Sequence, residues 1–299
     1  RKDSRTLEQH NKEWSDKEIR ELYTTEKDIK NSGSVPPSPP QQIEELKKME
    51  TLKYISSIAE TKKMYPETSW VRITTITMTA KYPDMVDVPR FREIFKARGA
   101  YGWTLQEKEN KFYNCVTIVT RDQYTTKNVK IFPNGSIQVT GCCDLTDCPR
   151  VTKKVAVVLN DMLGKSHEID EGSIQTRLIN TNFSFNYVLN LYTIYDYLKK
   201  DKTYQVSHDP DRCAELRVKF TPLVGEKHVT VKLFSSGKAM ALTGGSIRVI
   251  AAAYKHMNQK IEEMRAKVER VDKPQQYPVF MGYTFETWLK MIEKRRDLV

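Results

Sequence analysis

The chain has 299 residues, 39% of them hydrophobic and 10% aromatic, enough to bury a sizeable core and to form two domains. Its formal net charge is +11, and residues 1–64 carry roughly as many acids as bases. The excess therefore lies in the remainder, as in a region that meets nucleic acid or another polyanion, although charge alone does not separate such a region from a protein that is merely basic. No apolar run is long enough to cross a bilayer. The opening RKDSRTLEQH has no apolar stretch of the kind a secretory signal needs. The five cysteines follow no disulfide framework, so they are expected as reduced thiols inside the cell.

In chain order, residues 1–30 are densely charged, with Trp14, Ile19, Leu22 and Tyr23 at helical spacing. NSGSVPPSPP (residues 31–40) breaks that pattern and reads as a semi-rigid linker. A second helix is expected over QQIEELKKMETLKYISSIAETKKM. Its apolar residues, from Ile43 to Ile58, recur every third position and so wind around the helix.

From Trp70 the character changes. WVRITTITMT reads as a strand. DVPRFREIFKARG reads as a helix with Asp87 as cap, Pro89 in its first turn and Gly99 as its stop. KFYNCVTIVT, NVKIF and SIQVTG read as three strands. GCCDLTDC (Cys142, Cys143, Cys148) has neither a CxxC pair nor a neighbouring histidine and reads as a turn rather than a zinc site. DCPRVTKKVAVVLNDMLG closes the set as a helix with Val151, Val155, Val158, Leu159 and Met162 on one face.

The same order then recurs at a spacing of about 100 residues. TRLINTNFSF reads as a strand and VLNLYTIYDYLKK as a helix. AELRVKF, HVTVKLF and KAMALTG read as strands, and GSIRVIAAAYKHMNQKIEEM as a long helix with Ile247, Ile250, Tyr254, Met257 and Ile261 inward. DKPQQYP is expected as a loop and TFETWLKMIEKRRDLV as a terminal helix. The domains expected are a charged helical extension over 1–65, a first repeat over 66–168, a second over 169–268 and a tail over 269–299.

The two hairpins, VKIFPNGSIQVTG and VKLFSSGKAMALTG, carry the functional reading. Strand side chains alternate between faces. Val129, Ile131, Ile137 and Val139 fall on one face, with Val229, Val231 and Leu233 their counterparts. Asn128, Lys130, Phe132, Gln138 and Thr140 fall on the other, with Thr230, Lys232 and Phe234 theirs. Helices covering the apolar side leave the second face free to bind. Lysine beside phenylalanine suits nucleic acid, because the cation meets phosphate and the ring stacks on or wedges between bases. The alternative is that the tail or the N-terminal helices cover this face.

Residues 70–265 resemble the two repeats of the TATA-box-binding protein family. IFPNGSIQVTG and LFSSGKAMALTG are similar to that family's phenylalanine hairpin ending in Thr-Gly. INTNFSF and the divergent interiors look most like the TATA-box-binding-like proteins of large nucleocytoplasmic DNA viruses. The resemblance implies an α+β tandem-repeat saddle, a curved antiparallel sheet with helices on its convex face. It also implies binding and bending of double-stranded DNA through the minor groove, with no cofactor. The implied partners are a transcription factor IIB-like protein and RNA polymerase, in the host nucleus or a cytoplasmic viral factory.

Phe132 and Phe234 match the second wedging phenylalanine of each repeat. The first is Phe112 or Tyr113 in repeat one, and which of them depends on the register of Val116 and Ile118. In repeat two the wedge position falls near Cys213, where no aromatic stands. The DNA-facing set carried over is completed by Lys130, Lys232, Lys238, Arg217, Lys219, Gln138, Thr140 and Thr243. Asn180 and Asn182 are the nearest matches to the family's central asparagines. Lys130 and Lys232 replace apolar groove-lining residues, which puts TATA specificity in question but adds charge for general duplex binding. One extra residue in GKAMALTG suggests a bulge near Ala239–Leu242.

An enzyme is the first rival. The chain has no P-loop and no GxSxG, and its five histidines form no HExxH. The second rival is a virion-associated or regulatory protein-interaction module that keeps this fold without TATA-specific binding.

Overall fold

The computed structural model describes residues 51–100, 103–106, 114–121, 126–142, 147–268, 279–280 and 283–284. The chain divides into two compact units, whose described parts are residues 75–177 and residues 51–74 with 178 onward. The described region opens in α1 (Thr51–Met64). It continues through β1 (Arg72–Lys81), α2 (Val88–Arg98), β2 (Trp103–Leu105), β3 (Val116–Arg121), β4 (Thr126–Ile131), β5 (Ser136–Cys142) and α3 (Asp147–Leu163). The second round is β6 (Gln175–Ser184), β7 (Val188–Leu189), α4 (Leu191–Leu198), β8 (Gln205–His208), β9 (Glu215–Phe220), β10 (Val229–Phe234), β11 (Lys238–Thr243) and α5 (Ile247–Glu263). Short pairs follow, β12 (Lys267–Val268) on β7 and β13 (Val279–Phe280) on β14 (Tyr283–Thr284). The helix expected over residues 1–30 lies outside the described residues, as does all but the first residue of the one expected over 284–299, Thr284 being the end of β14.

The first unit's strands are ordered β2-β3-β4-β5-β1 and the second's β6-β11-β10-β9-β8, with every neighbour antiparallel. The expected α+β class and twofold repetition are therefore borne out. β3, β4, β5 and β1 have β9, β10, β11 and β6 as counterparts. Alternation decides which side is buried. Val129, Ile131, Ile137 and Val139 are fully buried, as are Leu216, Val218, Val229, Val231 and Leu233. Each such side chain contributes roughly 1.5–3 kcal/mol of burial. α3 packs on β5, and α5 on β10 and β11. The expected inward faces of α3 and α5 are buried throughout.

Local signals set the ends of the helices. Asp87 accepts from the Arg90 N–H at 3.1 Å, and Asn190 caps α4 by accepting from Thr193 at 3.1 Å. In the second unit α1 packs along α5, with Ile58, Ala59 and Thr61 buried. The segment after α1 is tied down by polar bonds. Tyr254 Oη donates to the Ser69 carbonyl at 2.8 Å, and Thr68 Oγ1 donates to Asn258 Oδ1 at 2.6 Å. Burial in this contact pushes the Tyr254 phenol up. Among the described residues no helix is long and apolar enough to cross a membrane.

The sequence-based bulge in repeat two is not there. β11 pairs without a break from Leu233↔Ala239 to Val229↔Thr243, and its pairing with β6 is equally regular. The break is in repeat one. Thr77 pairs with Thr140, but the next residue, Ile76, pairs with Cys142. Gly141 is the extra residue. Its φ is +98°, and a Cβ there would stand 2.5 Å from the Thr126 carbonyl oxygen, so only glycine fits. The bulge turns Cys142 into the core, where it is fully buried.

Candidate nucleic-acid interface

Both phenylalanine hairpins are held by the same main-chain bonds. In the first, Gly135 N–H donates to the Phe132 carbonyl at 2.9 Å and Phe132 N–H to the Ser136 carbonyl at 2.9 Å. The loop after β1 then clamps the turn. Tyr82 N–H donates to the Gly135 carbonyl at 2.8 Å and Val86 N–H to the Pro133 carbonyl at 2.9 Å. In the second, Gly237 N–H donates to the Phe234 carbonyl at 2.9 Å. Phe185 and Leu189 N–H groups donate to the Gly237 and Ser235 carbonyls at 2.9 and 2.8 Å. Glycine is required at the turn because φ is +86° at Gly237 and a Cβ would lie 2.0 Å from the Tyr187 carbonyl oxygen. Each phenylalanine thus starts from a backbone fixed on two sides. Phe132 and Phe234 are both half-buried and neither joins the buried core.

Cross-strand register assembles the outward face of each unit. In the first, one row runs Thr117–Lys130–Gln138–Thr79 and the next Val119–Asn128–Thr140–Thr77. Lys130, Gln138 and Thr140 are half-buried, on the face expected. Val116 and Ile118 face the core, at 1% and 0% exposure. Phe112 and Tyr113 lie outside the described residues.

In the second unit the rows are Ser207–Arg217–Lys232–Met240–Asn182 and Gln205–Lys219–Thr230–Leu242–Asn180. Lys238 is exposed at the hairpin end, opposite Ser184. Asn180 Oδ1 and Asn182 Oδ1 are buried and have no hydrogen-bond partner among the described residues. Cys213 is half-buried, with Arg217 Nη2 3.9 Å from its sulfur.

Thr243, expected on the interface, faces the core. It is 2% exposed, opposite Val229 and Ile179. Its hydroxyl donates to the His228 carbonyl at 3.0 Å and accepts from Gly245 N–H at 3.0 Å. Both hairpins end in Thr-Gly, but the register counterpart of Thr140 is Leu242, because repeat two has one residue more between its turn glycine, Gly237, and Thr243 than repeat one has between Gly135 and Thr140.

Sequence reasoning missed Met240 and Leu242, which bring apolar surface to the second unit's outward face, and Thr77 and Thr79 on the first. It also missed Glu215. Alternation places Glu215 on the same face as Arg217, two residues on, so the pattern could have revealed it. Glu215 Oε1 accepts from Arg217 Nε at 3.0 Å and Nη2 at 2.8 Å, and Lys232 Nζ stands 3.6 Å away. The Arg217 hydrogen bonds hold the Glu215 carboxyl below the usual glutamate range.

No protein-family model matches the chain. It is 26% identical over 249 residues to the TATA-box-binding protein-like protein of Acanthamoeba polyphaga mimivirus, a match covering 70% of this chain and 66% of the viral protein, just under two thirds of that relative's length. Two solved structures are similar at lower levels. The Methanococcus jannaschii TBP has 18% identity and a TM-score of 0.47, covering 64% of this chain and 98% of that one. A rolling circle replication initiator protein from Geobacillus stearothermophilus has 8% identity and a TM-score of 0.31, covering 76% and 96%. The chain is thus similar over 70% of its length to a TATA-box-binding protein-like protein, in line with the family its two hairpins resemble.

Proposed function

We propose that this chain is a DNA-binding transcription initiation factor of the TATA-box-binding-protein-like kind, engaging duplex DNA through the outward sheet face of each repeat. One observation carries the reading. Each repeat holds a half-buried phenylalanine on a backbone-clamped hairpin beside a lysine on the outward sheet face, Phe132 with Lys130 and Phe234 with Lys232. Lysines supply phosphate contact without sequence information. The phenylalanines supply a wedge that unstacks a base step, and rigid hairpins lower the ordering cost of inserting it. Met240 and Leu242 add apolar contact suited to a groove floor. Asn180 and Asn182 add polar side chains to the same rows, and with a change of rotamer their amides can meet a base edge or a bridging water.

In this reading the protein bends promoter DNA and presents its helical side to a transcription factor IIB-like protein and RNA polymerase. It works inside the infected cell, in the nucleus or a viral factory. The N-terminal extension contacts a further partner. The test is binding to random and AT-rich duplexes across a salt series. A steep salt slope supports the reading, preference for AT-rich sites adds groove readout, and absence of binding to either duplex overturns it.

A second reading, a protein-interaction module on the same fold, is favoured by the small Cys213 at a wedge position and by the acidic Glu215 on the face. Affinity purification with and without nuclease separates the two. Nuclease-resistant partners favour the second.

A further inference from the structure

The outward face of the second repeat carries Arg217, Lys219, Lys232 and Lys238. It also carries one acid in a place that a polyanion-binding surface has no folding reason to fill. Glu215 begins β9, directly opposite Phe234 on β10. Its side chain is 14% exposed. Oxygen Oε1 takes both Nε and Nη2 of Arg217, with Lys232 Nζ at 3.6 Å. The guanidinium donors best shaped for a phosphate are therefore already given to an internal carboxylate.

The corresponding residue of repeat one, two before Thr117 as Glu215 is two before Arg217, is Cys115, which is buried. Among the described residues of the first unit's outward rows there is no acid. Among the described residues of the outward rows, the anion is thus peculiar to the second repeat.

We infer, on the reading that these faces bind duplex DNA, that Glu215 is a specificity-determining residue that suppresses indiscriminate polyanion binding by repeat two. A phosphate reaching Arg217 or Lys232 must displace the carboxylate and then sits beside an unpaired negative charge. A bare phosphate chain gains only the exchange of one anion for another. A duplex that also admits Phe234 and packs on Met240 and Leu242 gains apolar contact that offsets the repulsion. Specificity here comes from a repulsive element as well as an attractive one.

The experiment compares the full chain with Glu215→Gln, Glu215→Ala and the double variant Glu215→Gln/Arg217→Ala, each checked for an unchanged fold by circular dichroism. The probes are inorganic polyphosphate and a random-sequence duplex. Releasing two cations steepens the salt slope by about 1.8 units, so a fourfold drop in salt should tighten Glu215→Gln about 12-fold more than wild type on either probe. The double variant should lose about half of that gain. Equal or weaker polyanion binding by both single variants, with duplex binding by wild type intact, overturns the role of Glu215 alone, because the carboxylate would then be orienting Arg217 productively. Tighter polyphosphate binding by the variants with no duplex binding by any version leaves Glu215 as a polyanion filter and overturns the DNA reading instead.

Discussion

The lysines of the two outward faces differ in how much charge they have to give. Among the described residues, Lys130, Lys219 and Lys238 have no ion pair, whereas Lys232 lies 3.6 Å from Glu215. Each phosphate neutralised contributes about 0.9 to the slope of log affinity against log salt. Replacing Lys130, Lys219 and Lys238 together by alanine should therefore flatten the slope by about 2.7 units. Over a fourfold rise in salt, wild type should lose about 40-fold more affinity than the triple variant. Lys232→Ala alone should change the slope by well under one unit, since its charge is already shared with a carboxylate. Fluorescence anisotropy on a labelled duplex, repeated on random and AT-rich sequences, measures all of this. The loss should be the same on both sequences, because phosphates carry none of the readout. A triple variant with the wild-type slope, or a loss confined to one sequence, refutes the assignment of these lysines to phosphates.

Phe132→Ala should reduce DNA bending more than Phe234→Ala, because repeat one has a second aromatic in Phe112 or Tyr113 and repeat two has only Cys213; equal losses in an end-labelled FRET assay would count against the asymmetry. Thr243→Val removes two part-buried hydrogen bonds and should cost about 1–2 kcal/mol of stability with duplex affinity unchanged, so lost affinity in a variant of wild-type stability would contradict its core placement. Burial, and after it the nearby Lys260 charge, lower the His256 pKa below the ordinary 6.5, so the unfolded chain takes up its proton first. Stability from this group is full above about pH 6.5 and is lost as pH falls through the depressed folded value, and His256→Gln should flatten that part of the profile in thermal melts. Matching acid slopes for the two proteins would refute it.

The sheets were legible because period-2 alternation runs unbroken through Asn128–Ile131, Glu215–Phe220 and Val229–Phe234, and a slip of one residue there would expose every valine and isoleucine. The helices were legible from the Asp87 cap and their apolar stripes, but α4 was expected from Val188 and begins only at Leu191, after the Asn190 cap, with Val188–Leu189 forming β7. The edge strands Trp103–Leu105 and Gln205–His208 were not, since three or four residues carry too little periodicity to read. Nor was the bulge. It is a backbone event whose mark in sequence is one glycine, and that glycine sits in a Thr-Gly pair that looks identical to Thr243–Gly244. Of the site, the lysines and phenylalanines could be read from alternation. The clamps on the hairpins could not, because they join main-chain groups about 50 residues apart, and main-chain bonds carry no residue signature beyond Gly135 and Gly237. The docking of α1 on α5 was hidden by an apolar stripe that winds too evenly to name a partner.

The bulge at Gly141 also limits how interchangeable the two halves are as parts. Up to Thr140 and Leu242 the strands run in step, and a hairpin could be transplanted between repeats with every side chain keeping its face. One residue further, repeat two has already turned Thr243 inward, while repeat one spends Gly141 before turning Cys142 inward. A graft that carried the repeat-two ending into repeat one would deliver Gly244 where the core needs the Cys142 side chain, and a graft in the other direction would offer Gly141 in place of Thr243. The junction that preserves both cores lies before the glycine, so the duplicated hairpins form an exchangeable cassette with one fixed end.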